Sequence, residues 1–357
     1  MSDLANAVLV IVFAHVLAIG SQPVQFPKAG GFQMLASPAG TGACSATVKG
    51  GRSFVTGGSD GAGSLATARY FEREGQFTPA VPMSTGRTGH VCVALTDGTV
   101  LVAGGETVKG ALAPAAEVFH PTTNTWTTAG PMVTPRRRAS VVLLRNGMAL
   151  VVGGEAAGQA VNTLELYDPA QGRFQQEAGT LSVSPTSFAL AVLDDGRVVI
   201  AGGVNRELAQ DSIYLFDPDH GVTYAGRMWT PRANFTATTL ANGHVLFAGG
   251  TDGYRALASA ELFDPATGQT TLTEPLASPR QNHMAVRPAV GDRVLIAWGS
   301  AEGHPIDSAE YFVPVTKSFE PAREPGPADN AARRITVAIL NTDATIRALR
   351  TYLVTPP

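Results

Sequence analysis

A glycine doublet that closes an apolar run recurs along this chain at a nearly constant interval, and that interval limits what the chain can fold into. The doublets are Gly57-Gly58, Gly104-Gly105, Gly153-Gly154, Gly202-Gly203 and Gly249-Gly250, with Trp298-Gly299 as a degenerate sixth copy. Their first residues lie 47, 49, 49, 47 and 49 positions apart. A fixed period of this length marks repeated supersecondary units that bury their apolar faces only by stacking on one another. The 357 residues would otherwise suggest two or three domains. They read instead as one repeat domain over 21–357 behind an apolar segment over 1–20.

Each unit reads alike. A first strand, such as HVCVAL at 90–95 or FTATTL at 235–240, meets an Asx-Gly turn (Asp97-Gly98, Asn146-Gly147, Asp195-Gly196, Asn242-Gly243). Such turns supply the positive φ that a tight hairpin needs. The second strand runs into the doublet as TVLVAGG, MALVVGG, RVVIAGG or HVLFAGG, and its unbroken Val, Leu and Ile predict burial on both faces. After a loop of variable length comes a third strand, AEVFHP, LELYDP, IYLFDP, AELFDP or AEYFVP. Its proline ends it because proline cannot donate to a ladder. A short fourth strand carries Phe77, Trp126, Phe174, Tyr224 or Phe319.

Four antiparallel strands repeated six times predict an all-β, closed β-propeller of four-stranded blades. With the doublet, the acidic-aromatic third strand and the aromatic fourth strand, residues 40–320 resemble the kelch-repeat family. That resemblance implies fold and leaves function open, since kelch propellers include enzymes, adaptors and sugar-binding proteins. RITVAILNTDATIRAL at 334–349 aligns as a further pair of first and second strands, TYLV at 351–354 as a third, and GFQMLASP at 31–38 as a fourth. A blade built from both ends would close the ring and remove exposed edges, so seven blades are expected, with six as the alternative.

Composition excludes several classes. The formal net charge is −3 and only 15% of residues are charged, so there is no basic field for nucleic acid. Thirty-nine glycines and 24 prolines suit short strands and turns. Ala7 to Ile19 is an apolar run broken only by His15, with Ala18 and Gly20 spaced as at a signal-peptidase site. Asp3, and the lack of Lys or Arg before the run, depart from a usual leader. Export to the periplasm or cell exterior is the favoured expectation, with the cytoplasm as the alternative. No stable membrane span is expected.

An arginine stands at one fixed phase before most first strands: Arg87, Arg136, Arg232 and Arg280, with Arg333 at the matching place near the C-terminus. Unit one has Gly40 there and unit four has Pro185. First strands line a propeller's channel, so one reading gathers these guanidiniums at one mouth to capture carboxylate or phosphate. In the kelch-like adaptor that recognises acidic degron peptides, arginines at this phase form the ligand pocket, and the resemblance implies the same role here. The other reading is structural, each arginine bonding loop carbonyls or the third-strand Glu117, Glu165, Glu261 or Glu310. The loops after the doublets open on the same mouth with Asp60, Glu106, Glu155, Glu207, Asp252 and Glu302. The candidate ligand-binding set is therefore the five arginines with Glu106, Glu155 and Asp252. Arg136-Arg137-Arg138 reads as a solvated loop entering a strand.

His90 and His283 follow Arg87 and Arg280 by three residues. Facing the channel they would be acid–base groups, and they are the catalytic candidates, with a loop Glu as the other proton-moving group of an enzyme; packed inside they are core residues. His120, His220, His244 and His304 are ordinary polar positions. No histidine spacing suits a metal and no phosphate loop or GxSxG elbow occurs, so no cofactor or metal is expected. Kelch-fold galactose oxidase holds copper with Tyr, His and a thioether-linked Cys, and no Tyr-His cluster is in register with Cys44 or Cys92. Both cysteines are expected buried, free and inert, with a bridge between adjacent first strands as the lesser option. The leading functional expectation is a monomeric, non-catalytic binding module for a glycan, an acidic peptide or a protein partner. The alternatives are a kelch enzyme acting on an acidic sugar, resembling the sialic-acid epimerases, and a structural interaction scaffold.

Overall fold

The structure, a computed structural model, describes residues 9–15, 42–48, 52–60, 63–71, 77–107, 110–113, 115–287, 292–322, 333–340 and 346–354. Among these there is no helix, and six four-stranded antiparallel sheets follow one another along the chain. In each, the strands lie side by side in chain order. Sheet three, for example, runs Ser140–Leu143, Ala149–Val152, Thr163–Asp168 and Arg173–Thr180. The turns between first and second strands follow the expected sequence but divide the work differently. Glycine alone takes positive φ, while Asp97, Asn146, Asp195 and Asn242 each accept an amide hydrogen bond from the residue two positions on.

All second strands from sheet two to sheet six are buried along their whole length, as their unbroken aliphatic runs predict. The apolar clusters show what covers them. One joins sheets one and two, and others join two with three, three with four, four with five, and five with six. Each sheet is thus packed face to face on the next. Every fully buried aliphatic side chain contributes about 1.5–3 kcal/mol. First strands also pack beside first strands, from Ala43–Thr47 through to Met284–Val286. Stacked sheets whose first strands sit together are the arrangement of a β-propeller.

The two ends of the chain form a separate three-stranded sheet in which Arg333–Leu340 lies between Leu9–His15 and Ile346–Val354. Three expectations are corrected or bounded here. TYLV at 351–354 is not a third strand, because it continues the second. The strand on the other side of Arg333–Leu340 is the apolar run near the N-terminus. The segment 31–38, expected as a fourth strand, lies outside the described residues.

The cysteines are not free. Cys44 and Cys92 form a disulfide with Cα atoms 5.8 Å apart, joining the first strands of sheets one and two. Units one repeat apart set those strands side by side, which brings two residues 48 positions apart in sequence within bonding range.

Candidate functional site

The repeated arginines have their guanidinium groups turned inward. Arg87, Arg136, Arg232 and Arg280 are among the most buried side chains of the molecule, at 0–1% exposure. Each is ion-paired, at 2.5–2.8 Å, to the third-strand glutamate of its own sheet: Glu117, Glu165, Glu261 and Glu310. Each Nη1 also donates to the first carbonyl of its sheet's doublet (Gly104, Gly153, Gly249 or Trp298) and to the start of its third strand. The glutamate's second duty is to accept amides of the incoming loop, such as Val133 and Thr134 at 2.8 and 2.9 Å on Glu165.

The main chain of the same arginines serves the preceding sheet. The carbonyls of Arg87, Arg136, Arg232 and Arg280 accept from Gly58, Gly105, Gly203 and Gly250 at 2.8–3.0 Å. This contact explains the doublet, because a Cβ on the first glycine would collide with that carbonyl oxygen. The arginine therefore pins two sheets together; for Arg87, Arg136 and Arg232 burial pulls the pKa down from the usual value while the paired glutamate opposes the change. These four residues are corrected from ligand-reading groups to structural pins: both Nη atoms of each are spent on the protein. Units one and four lack both halves of the pin, with Gly40 and Arg69, and Pro185 and Tyr214, at the paired phases. That joint absence was the sequence signal for a structural pair. Arg333 opens the middle strand of the terminal sheet, and its side chain is outside the described residues.

His90 and His283 are likewise internal. Their Nε2 atoms lie 2.9 Å from the hydroxyls of Thr56 and Thr236, and burial pushes both pKa values down to about 3. At the same phase the other sheets bury Ala139, Phe188 and Phe235. Phe188 packs against Gly153 just as His90 packs against Gly57. A position that accepts phenylalanine is a core position, so neither histidine acts as an acid–base group at the mouth.

One and two residues beyond each pin, a pair of residues links neighbouring sheets. The second of these residues is left-handed in every sheet: Gly42, Gly89, Arg138, Ser187, Asn234 and Asn282, with φ between 53° and 65°. Four of the five steps between consecutive members carry an amide-to-carbonyl bond: Gly89 to Gly42, Arg138 to Gly89, Asn234 to Ser187 and Asn282 to Asn234, at 2.7–3.0 Å. This girdle lies at the end of the sheets where the first strands begin, the end expected to form a propeller's mouth. The residue before it pairs with the hairpin that follows each doublet, as in Thr88 with Glu106, Arg137 with Glu155, Ala233 with Thr251 and Gln281 with Ser300.

The mouth is uneven. On sheets two and three Arg137 ion-pairs with Glu106 and, at 3.1 Å, with Glu155, while Arg138 reaches Glu155 at 3.2 Å. Burial opposes the charge on Arg137, but Glu106 and Glu155 outweigh it and its pKa is raised. Arg138 is half exposed. Glu106 and Glu155 are thus partnered by Arg137 and Arg138, two arginines expected as part of a solvated loop entering a strand. Asp252 shapes its own hairpin, its Oδ1 accepting the amides of Tyr254 and Arg255, both at 2.9 Å. Burial disfavours its charge, yet those amides win and its pKa is lowered. Glu207 and Glu302 sit exposed on hairpin tips, and the Asp60 carboxylate accepts the Gly63 amide. Among the described residues no group of three or more His, Cys, Asp or Glu is arranged to hold a metal ion.

No protein-family model and no curated protein matches the chain. Solved structures do. The structure of YjhT is similar at 16% identity with a TM-score of 0.56, covering 76% of this chain and 94% of that one. A fungal alcohol oxidase of the AA5 family, in complex with copper, is similar at 18% identity and the same TM-score, covering 88% of this chain and 85% of that one. Both likenesses concern the fold.

Proposed function

We propose that the chain is a kelch-repeat propeller of seven blades that binds an acidic, polyhydroxylated ligand, such as an acidic glycan, at the girdle mouth. The observation that carries this is Arg138. A left-handed backbone costs a non-glycine residue about 1–2 kcal/mol, and sheets one and two put glycine at this phase. An arginine kept there against that cost, half exposed and next to Arg137, has a task other than folding. Its guanidinium offers a fork for a carboxylate. Ser187, Asn234 and Asn282 supply hydroxyl and amide groups along the same girdle, and Glu106 and Glu155 accept from hydroxyl groups.

A second reading, an enzyme acting on an acidic sugar at this same mouth, draws on the likeness to an alcohol oxidase. Its proton-moving groups would have to come from Glu106 or Glu155, since His90 and His283 are buried and neutral. Both cysteines are taken up in the disulfide, which leaves no thiol for a thioether. An oxidising, extracytoplasmic setting is supported by that disulfide. The test is an array of acidic and neutral glycans, repeated with Arg138→Ala, followed by a turnover assay on every bound sugar. Binding to acidic glycans that the variant loses supports the reading. An array empty for the native protein overturns it, and turnover abolished by Glu155→Gln selects the enzyme.

A further inference from the structure

We infer that Tyr254 is a stacking platform for a sugar ring, a specificity-determining residue on the side of the mouth opposite in character to the arginines. The inference rests on the glycan reading above. Tyr254 is 91% exposed, the most exposed large apolar side chain among the described residues. It stands on the hairpin of sheet five, whose root Thr251 pairs with Ala233, the neighbour of Asn234 in the girdle. The hairpin is built to hold its tip still. Oδ1 of Asp252 accepts the amides of Tyr254 and Arg255, and the Thr251 hydroxyl accepts the amide of Gly253 at 3.0 Å. A tyrosine has only two side-chain torsions, so on a hydrogen-bonded turn it loses little entropy on contact with a ligand.

The surroundings select a saccharide. Gly253 lies against the Glu207 carbonyl of the sheet-four hairpin, whose tip presents Leu208 at 62% exposure. Among the described hairpins that follow the doublets, only these two carry a large exposed apolar side chain. The ring is therefore a small apolar spot on a hairpin whose flanking residues, Asp252 and Arg255, are charged, instead of part of a broad apolar face. One ring amid hydrogen-bonding groups matches the apolar face of a pyranose and its hydroxyl rim. The other side of the mouth, on sheets two and three, carries the arginine–carboxylate group.

The experiment titrates the strongest acidic oligosaccharide from the array into native protein, Tyr254→Ala, Tyr254→Phe and Arg138→Ala by calorimetry, with melting temperatures as a fold control. The expected result is a roughly tenfold affinity loss for Tyr254→Ala, near-native binding for Tyr254→Phe and unchanged melting temperatures. Binding lost with Arg138→Ala but untouched by Tyr254→Ala would remove the platform and leave the glycan reading standing. No acidic glycan bound by the native protein would remove both. Unchanged glycan affinity in Tyr254→Ala, with loss of a co-purifying protein, would reassign the residue to a protein contact.

Discussion

A buried arginine is held by what its donors meet, and Arg87 and Arg232 keep their place although Nε has no partner among the described residues. Arg136 shows the full set: Nε to Thr134, Nη1 to Gly153 and Thr163, Nη2 to the Thr163 hydroxyl and to Glu165. Removing charge from one partner strands the other in a low-dielectric interior, so Glu165→Gln should cost about 3–5 kcal/mol in urea unfolding. The exposed pair of Arg145 with Asp194 is the control, and Asp194→Asn should cost no more than about 1 kcal/mol. Equal costs at the two sites would remove the pin. The histidines give a pH prediction. The folded pKa of His90 is depressed from 6.5 to about 3, so the native state stays neutral where the unfolded chain takes up a proton. Stability is then full above about 6.5 and declines as pH falls toward 3. Thr56→Val with His90→Phe, which copies the apolar pairing of the Phe188 phase, should flatten that decline. An unchanged slope would place the acid sensitivity elsewhere.

At the scale of the element, the segment between pin and first strand explains both the fold and the mouth. One residue pairs with the hairpin after the doublet, and the next turns left-handed and joins the girdle. The girdle tolerates asparagine well and glycine best, so Arg138→Gly should raise stability by up to about 1 kcal/mol while weakening ligand binding. The ion pair to Glu155 is partly exposed and offsets little of this. A stability gain without loss of binding would deny Arg138 its role, and a stability loss would mean that the arginine serves the girdle.

The whole molecule is a series of face-to-face joints, and the joints are not equivalent. Sheets two, three, five and six have a pin; sheet one has none of its own and is tied to sheet two both by the Arg87 carbonyl and by Cys44–Cys92. A cross-link over 48 positions restricts the unfolded chain, and Cys44→Ser with Cys92→Ser should cost about 2–4 kcal/mol under oxidising conditions. Glycan affinity should be unaffected, because the mouth groups belong to sheets two to six. Loss of binding with no loss of stability would instead make the bridge part of the site.

Residue pattern by itself determined the strands, the turns, the buried second strands and the repeat, because periodicity and turn chemistry act over a few neighbours. His90 and Phe188 at one phase, and the joint loss of arginine and glutamate in units one and four, were also there to be read as signs of a core position and a pair. Tertiary structure alone decided where the side chains spend their hydrogen bonds. It turned Arg87, Arg136, Arg232 and Arg280 inward onto glutamates 29 or 30 residues away and set two cysteines into a bridge. It also left Arg138 half exposed before a first strand and Tyr254 exposed on the loop that follows a doublet. The physical reason is that a guanidinium's partner is fixed by distance across stacked sheets, and that distance is set by the packing of whole units, beyond the reach of local spacing.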